Sequence, residues 1–332
     1  MELIIQEARD TNKSRERADS IFRSIKFKRQ IALIIEVSSM CNLNCNFCDF
    51  HSGKFNILTS QKKIMDEQLY YKIIQDISDL GYKLKALHFH GWGEPLLQRN
   101  LPEMIHFAYD KSVAEKYILI TNGVLMNKSV FEKLLVSGVD EIRVSLDTVN
   151  SEKYLKTKGG NFLQKVLDNI DYAISRISSK DKLKLYIKIP GLDSHPSFGI
   201  TNEDTQEVID RFKHVENPNV KIILQPLMLT TDSDVKDYTP CEQVFYTALI
   251  RFDGRVSPCC VDIYNKLTIG DVTKQSLLDI LNSEKLRRIR TIHINGMLEK
   301  IPQCVYCGFR TPIDLSSHSD EIKKYLQGDL HE

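Results

Sequence analysis

Residues 31–48 read IALIIEVSSMCNLNCNFC. The first seven, IALIIEV, form a near-continuous apolar run rich in β-branched side chains, the composition of a parallel strand buried on both faces. The chain then turns polar and sets Cys41, Cys45 and Cys48 within eight residues, spaced C-x3-C-x2-C. Asn42, Asn44, Asn46 and Asp49 surround the thiols. The segment is therefore a polar loop, and a cysteine serving only as a small core hydrophobe does not explain it. The opening pattern is a buried strand that delivers clustered thiols at its C-terminal end.

Five further runs repeat the strand signal: LKALHF (84–89), KYILI (116–120), EIRVSL (141–146), KLYIKI (184–189) and VKIILQ (220–225). Helical patterns lie between them. DEQLYYKIIQDISDLG (66–81) puts Leu69, Ile73, Ile74 and Ile77 on one face, with Gly81 as the expected C-cap. NLPEMIHFAYDK (100–111), SVFEKLLVSG (129–138) and NFLQKVLDNIDYAISRI (161–177) read the same way. Six strands alternating with helices imply βαβ units and a parallel sheet. NKSRERADSIFRSIKFKRQ (12–30) reads as an amphipathic helix capping the bottom of that body, and no internal repeat is present.

The 332 residues are 42% hydrophobic and carry a net charge of +1. That is enough chain for one large or two modest domains. It gives no global field toward nucleic acid or membrane. The N-terminus has no apolar signal-peptide core, and no stretch approaches the ~18 apolar residues of a membrane span. The expected compartment is the cytoplasm, where disulfides rarely persist. Eight cysteines then need another explanation. Three lie at 41, 45 and 48, and five at 241, 259, 260, 304 and 307, with 192 cysteine-free residues between the groups. Zinc is one explanation. His51 could be a fourth ligand at the first group, and a C-x2-C with two distant cysteines fits a zinc ribbon at the second. Iron–sulfur clusters are the other. Three thiolates on a four-iron cluster leave one iron without a protein ligand, free to take a small molecule.

C-x3-C-x2-C with an aromatic, Phe47, before the last cysteine resembles the signature of the radical SAM family. The resemblance implies a partial (β/α)6 barrel, with a four-iron cluster on Cys41, Cys45 and Cys48 whose open iron is chelated by S-adenosylmethionine. Reductive cleavage would give a 5′-deoxyadenosyl radical that removes a substrate C–H hydrogen. In such barrels chemistry gathers at the C-terminal strand ends. The polar motifs lie there: HGWGEP (90–95) after the second strand, TNG (121–123) after the third, Ser145 and Asp147 at the fourth, Gln225 at the sixth. GWGEP is similar to the family's SAM-binding segment. Gly91 and Gly93 would let backbone approach the ligand, and Glu94 would accept from the methionyl ammonium. Trp92 stands where a glycine is usual and would pack under the loop. Asn122 and Ser145 would hold the carboxylate or ribose. His88 and His90 would satisfy a polar network.

Beyond the sixth strand, Gly254-x4-Cys259 and the downstream CVYC (304–307) resemble the twitch and SPASM extensions of that family. The resemblance implies a second four-iron cluster on Cys241, Cys259, Cys304 and Cys307, with IGDVTKQSLLDILNSEKLRRIR (269–290) as the intervening helix. KLRRIRTIH (285–293) is a basic helical face, either solvated or fit for a phosphate or an acidic peptide. The expected organisation is an N-terminal helical segment (1–30), the barrel (31–230), the small C-terminal cluster-binding extension (231–315) and a tail (316–332). TTDSDVKDYTP (230–240) marks the junction.

Three functions follow. The first is oxidation of a carbinol carbon in a carbohydrate-like substrate, as in the aminocyclitol dehydrogenases. The second is epimerisation or peptide modification, with Cys260 as hydrogen-atom donor in place of a thiol that merely flanks a ligand. The third is a non-enzymatic zinc or iron–sulfur module. The cysteine layout favours the first, and no leader-binding domain is recognisable before the barrel. The expected partners are a small-molecule or peptide substrate and an electron donor such as flavodoxin or ferredoxin, without nucleic acid or membrane.

Overall fold

The computed structural model describes residues 1–5, 11–26, 29–48, 50–51, 63–190, 199–225, 240–305, 307 and 313–327. Its strands are β1 (Glu2–Ile5), β2 (Ala32–Ile35), β3 (Ala86–Phe89), β4 (Tyr117–Thr121), β5 (Glu141–Ser145), β6 (Lys184–Pro190), β7 (Val220–Gln225), β8 (Thr247–Ile250), β9 (Arg255–Ser257) and β10 (Gly270–Asp271). All six apolar runs become strands, β2 to β7. Each pairs in parallel with its neighbour in chain order, giving the partial (β/α)6 barrel.

The helices are α1 (Thr11–Lys26), α2 (Glu67–Ser78), α3 (Leu101–Asp110), α4 (Lys128–Leu135), α5 (Ser151–Lys158), α6 (Leu163–Arg176), α7 (Asn202–Phe212), α8 (Gln243–Tyr246), α9 (Leu277–Leu281), α10 (Glu284–Ile294), α11 (Pro302–Val305) and α12 (Ser319–Gln327). α2 shows how they form. Asp66 caps it by accepting from the backbone N–H groups of Gln68 and Leu69. Tyr70, Ile73, Ile74 and Ile77 are its buried face, each contributing about 1.5–3 kcal/mol. Tyr70 takes the place expected of Leu69, because its hydroxyl donates to the Met104 carbonyl at 2.7 Å and can be buried without loss. Asp79 is the C-cap, and Gly81 follows at φ +72°.

Side chains alternate across each strand, and the two faces differ in kind. Leu33, Ile35, Leu87, Phe89, Leu119, Ile142 and Val144 are fully buried in the main apolar core. On the other face, Ala32, Ala86 and Ile118 close the N-terminal end of the barrel. Further along that face the residues turn polar: His88 on β3, Arg143 and Ser145 on β5, Lys188 on β6.

The sheet runs past the barrel at both edges, in the order β1-β7-β6-β5-β4-β3-β2-β8-β9-β10. β1 pairs in parallel with β7, so residues 1–30 are not helical throughout as expected. A four-residue run, ELII, is too short to signal a strand until a partner edge is known. α1 packs with α8, α12 and Leu315 through Ala18, Ile21, Ile25, Phe245 and Ile322. The two chain ends thus share one apolar layer. β8 pairs in parallel with β2, and β9 and β10 follow antiparallel. Segment 269–290 is not one helix. Ser276 and Ser283 each cap a new start, dividing it into α9 and α10 after β10. The expected junction at 230–239 and the last five residues of the tail lie outside the described residues. No helix among the described residues is long and apolar enough to cross a membrane.

Candidate active site

The thiol loop leaves β2 at its C-terminal end and is pinned by backbone from two sides. Asn44 and Asn46 donate their N–H groups to the carbonyls of Lys158 and Thr157 at 3.1 and 2.9 Å. The loop therefore rests on the end of α5, a helix absent from the expectations above. Gly159 makes that seat possible. It has φ +70°, and a Cβ there would lie 2.6 Å from the Asn44 carbonyl oxygen. On the other side, Glu94 N–H donates to the Met40 carbonyl at 2.7 Å.

The glycines of GWGEP serve this second seat. A Cβ on Gly93 would meet the Ser38 and Met40 carbonyl oxygens at 2.3 and 2.4 Å, and one on Gly91 would meet the Glu36 side chain at 2.5 Å. A second reason for both glycines thus stands beside the expected one: backbone crosses backbone at Gly93, and the Glu36 side chain lies against Gly91. Trp92 packs beneath, as expected. Its ring stacks on Phe50 with centroids 6.1 Å apart, and its backbone N–H donates to Glu36 Oε1 at 2.9 Å. Glu36 in turn lies 3.1 Å from Arg251 Nε, with both side chains at most 1% exposed. Burial raises the Glu36 pKa, and Arg251 opposes the shift. This pair joins the end of β2 to the end of β8, and so the barrel to its extension.

Glu94 is 2% exposed. Its Oε1 accepts from Thr121 Oγ1 at 2.6 Å and from Leu96 N–H at 3.1 Å, and its Oε2 accepts from Asn122 N–H at 2.8 Å. Burial pushes its pKa up against those three donors. Asn122 bridges to the thiol loop, donating to Asn42 Oδ1 at 2.8 Å and approaching Cys41 Sγ at 3.8 Å. Burial pushes the Cys41 thiol up to about 12 and the Cys45 thiol up to about 11. Without a metal these thiols stay protonated, and binding one must release the protons.

The thiol loop, the GWGEP turn and Asn122 border one cavity of about 610 Å³, within the range of small-molecule sites. Cys41, Cys45, Cys48, Phe47, Gly91, Gly93, Glu94, Asn122 and Ser145 line it, and so does Cys260. Trp92 does not line it. Neither do Cys241, Cys259, Cys304 and Cys307, nor His51, which is buried edge-on against Phe50.

Three cations that no sequence motif marks also line this cavity, Lys158, Arg143 and Lys188. Lys158 Nζ pairs with Asp147 at 2.7 Å and lies 5.3 Å from the Phe47 ring centroid. Burial opposes its charge, but Asp147 and Cys45 hold its pKa above the ordinary lysine value. Arg143 pairs with Glu141 at 2.6 Å. The Lys188 side chain has no hydrogen-bond or ion-pair partner among the described residues, and burial lowers its pKa to about 8. His88 Nδ1 is buried without a partner, so the expected polar network is not formed. Burial pushes His88 down to about 4. Arg143 and Lys188 were detectable as charged residues at inward positions in otherwise apolar strands.

The C-terminal thiols assemble from three segments. Cys259 and Cys304 pack against an apolar cluster of Leu267, Ile292, Leu298 and Ile301. Cys241 N–H donates to His293 Nδ1 at 3.2 Å. Burial raises the Cys259 pKa well above the ordinary thiol value, and the charges of Cys260, Cys241 and Cys307 add to the shift. All eight cysteines are free of disulfides. Among the described residues, no three His, Cys, Asp or Glu side chains are gathered tightly enough for a single metal ion.

The profile of the Radical SAM superfamily matches residues 35–196, and that of the SPASM iron–sulfur cluster-binding domain matches residues 241–308. The chain carries a radical SAM domain followed by a SPASM domain. Its cofactors follow: a 4Fe–4S cluster and S-adenosylmethionine for the first domain, auxiliary iron–sulfur for the second. A probable GTP 3′,8-cyclase of Archaeoglobus fulgidus is 30% identical over 197 residues, covering 59% of this chain and 60% of that protein. That of Methanococcus maripaludis is 34% identical over 42% of this chain and 44% of its own length. The chain thus spans about half the length of these curated relatives. The tungsten-containing aldehyde ferredoxin oxidoreductase cofactor-modifying protein of Pyrococcus furiosus is 23% identical over 87% of this chain and 90% of its own. Among solved structures, BtrN with AdoMet and 2-DOIA superposes with a TM-score of 0.57 at 20% identity, over 84% of this chain and 92% of that one. At that identity the likeness is one of fold.

Proposed function

We propose that this protein is a radical SAM enzyme that acts on a C–H bond of a small, polar, carbohydrate-like substrate. The observation that carries the reading is the single cavity shared by three thiols, Glu94, Ser145 and the unpaired Lys188. Cys41, Cys45 and Cys48 would hold the first cluster, and Cys241, Cys259, Cys304 and Cys307 a second. When bound, the first cluster and S-adenosylmethionine supply a 5′-deoxyadenosyl radical that takes the substrate hydrogen, and the second supplies an electron acceptor.

The rest falls to the side chains. Glu94 Oε2 has one protein donor and keeps capacity for an ammonium. Ser145 and Lys188 offer a hydroxyl and a positive charge to the carboxylate. Asn122 is committed to the thiol loop and acts by bracing it. Lys158, locked by Asp147, keeps positive charge beside Cys45, where it favours the thiolate a metal requires.

The four-thiol C-terminal set favours the oxidative outcome, in which a carbinol carbon that has lost its hydrogen atom would give one further electron to the second cluster and its hydroxyl proton to solvent, and so become a ketone. BtrN, of similar fold, was solved with AdoMet and 2-DOIA, which supports a small substrate. A second reading has its own observation. Cys260 opens to the reaction cavity, where its S–H could return a hydrogen atom to the substrate carbon.

Reaction of the reconstituted enzyme in deuterium oxide separates the two, with substrates suggested by neighbouring genes. A ketone two mass units below the substrate, formed equally well by Cys260→Ala, establishes the oxidation. An inverted product carrying one deuterium, lost in Cys260→Ala while deoxyadenosine still forms, establishes the donor. Deoxyadenosine formation by a variant lacking Cys41, Cys45 and Cys48 would remove both.

A further inference from the structure

The basic stretch at 285–293 is not used by the site above. α10 turns its charges two ways. Arg290 points inward, donating to the Val244 carbonyl at 3.0 Å and to Gln30 Oε1 at 3.3 Å. Arg287 and Arg288 point outward. With Lys300, from the turn Leu298–Lys300, they rim an open groove of about 560 Å³ between α10, that turn and α12. None of the three has an ion-pair partner among the described residues. Lys300 meets only the Met297 sulfur, at 3.3 Å. One carboxylate, Glu284, also lines the groove. In a chain of net charge +1, three unpaired cations around one concavity are a local feature and not the overflow of a basic protein.

The floor says what the groove adjoins. Ile292 and Met297 line it. Ile292 also belongs to the apolar cluster against which Cys259 and Cys304 pack, and Met297 packs on that cluster too. The groove floor and two C-terminal thiols thus belong to the same apolar cluster, on a face formed by helices outside the barrel.

We propose that this groove docks an acidic one-electron carrier protein of the flavodoxin type. The inference rests on the reading of the C-terminal thiols as ligands of a second cluster. Positive charge selects an acidic partner and speeds its encounter. The apolar floor suits a redox partner, because it brings a bound carrier near those thiols. An RNA would need a wider basic surface than three residues provide, and an acidic peptide would gain nothing from the thiols beneath.

The test is equilibrium binding of oxidised flavodoxin to reconstituted holoprotein, with iron measured on the same samples. The triple variant Arg287→Glu, Arg288→Glu, Lys300→Glu is compared with wild type and with a control pair on the barrel side, Lys165→Glu and Lys180→Glu. The expected result is a loss of affinity of about tenfold or more in the triple variant only, and a wild-type affinity that falls as salt is raised. Equal affinity in wild type and triple variant, or an equal loss in the control, overturns the docking site. So does polyglutamate that binds the groove without displacing flavodoxin, which would assign the groove to acidic peptides. Failure of the second-cluster reading shows separately, as wild-type protein with iron for one cluster only.

Discussion

The two thiol sets are built in opposite ways. Cys41, Cys45 and Cys48 are contiguous in sequence, sit at a strand end, and open together onto a cavity. Cys241, Cys259, Cys304 and Cys307 come from three segments far apart in the chain and lie outside that cavity, two of them against an apolar cluster. A contiguous loop can be braced at its backbone and still leave its thiols facing outward. The end of α5 and the GWGEP turn brace this one. A dispersed set is gathered by the fold from the segments that supply it, here away from the cavity. The first arrangement suits a centre that must bind a ligand, the second one that must only exchange electrons. Cys260 is the exception, next in sequence to a member of the dispersed set yet lining the cavity of the open one.

The largest effect should come from removing the open set. A triple alanine variant at Cys41, Cys45 and Cys48 should lose all S-adenosylmethionine cleavage and keep about half the iron of about eight per chain, because the thiols divide three plus four. Stoichiometric zinc in the C-terminal set would break the comparison.

Next is the link between the two regions. Glu36 and Arg251 are both buried, and removing one leaves the other uncompensated. Arg251→Met should destabilise by roughly 3–5 kcal/mol in denaturant unfolding, and adding Glu36→Gln should recover part of that loss. A double variant no more stable than the single would deny the coupling.

Smaller still is the ligand contact. Glu94→Gln keeps the shape of the cap but not its charge. It should weaken S-adenosylmethionine binding by about 1.5–3 kcal/mol with iron content unchanged. Affinity equal to wild type in a calorimetric titration would remove Glu94 from the site.

The smallest effect is a pH dependence. Burial lowers Lys188 to about 8, so its ammonium is lost as pH rises through that value. S-adenosylmethionine affinity should decline across the same range, and Lys188→Arg should flatten the decline, since arginine stays charged. Lys188 favours the folded state less when protonated, so the same rise in pH should not destabilise the fold through this residue. A decline unchanged in the arginine variant would assign it elsewhere.

The parts that were legible in the sequence share a short range. Each barrel strand announced itself as an apolar run, because a strand buried on both faces needs no partner to be recognised. The thiol loop and Glu94 lay directly after such runs. What was hidden depends on distant partners. β1 is four residues whose meaning comes from the edge of β7. Gly91 and Gly93 read as ligand-cradling glycines, and nothing in the sequence shows that the Ser38 and Met40 carbonyls also press against Gly93. Lys158 belongs to a polar helix with no strong apolar stripe, and only the fold brings it to Asp147. Arg251 reads as an ordinary charge after a strand, and its place beside Glu36 arises from β8 joining β2.

Of the two thiol sets, only the strand-end set should bind S-adenosylmethionine. Electron paramagnetic resonance of the reduced protein tests it directly, recorded with and without S-adenosylmethionine in two variants. Cys259→Ala should retain a cluster signal that S-adenosylmethionine shifts, because its open centre is intact. The triple variant at Cys41, Cys45 and Cys48 should retain a signal that S-adenosylmethionine leaves unchanged. A shift in the triple variant, or none in Cys259→Ala, would contradict the division of labour between the two thiol sets.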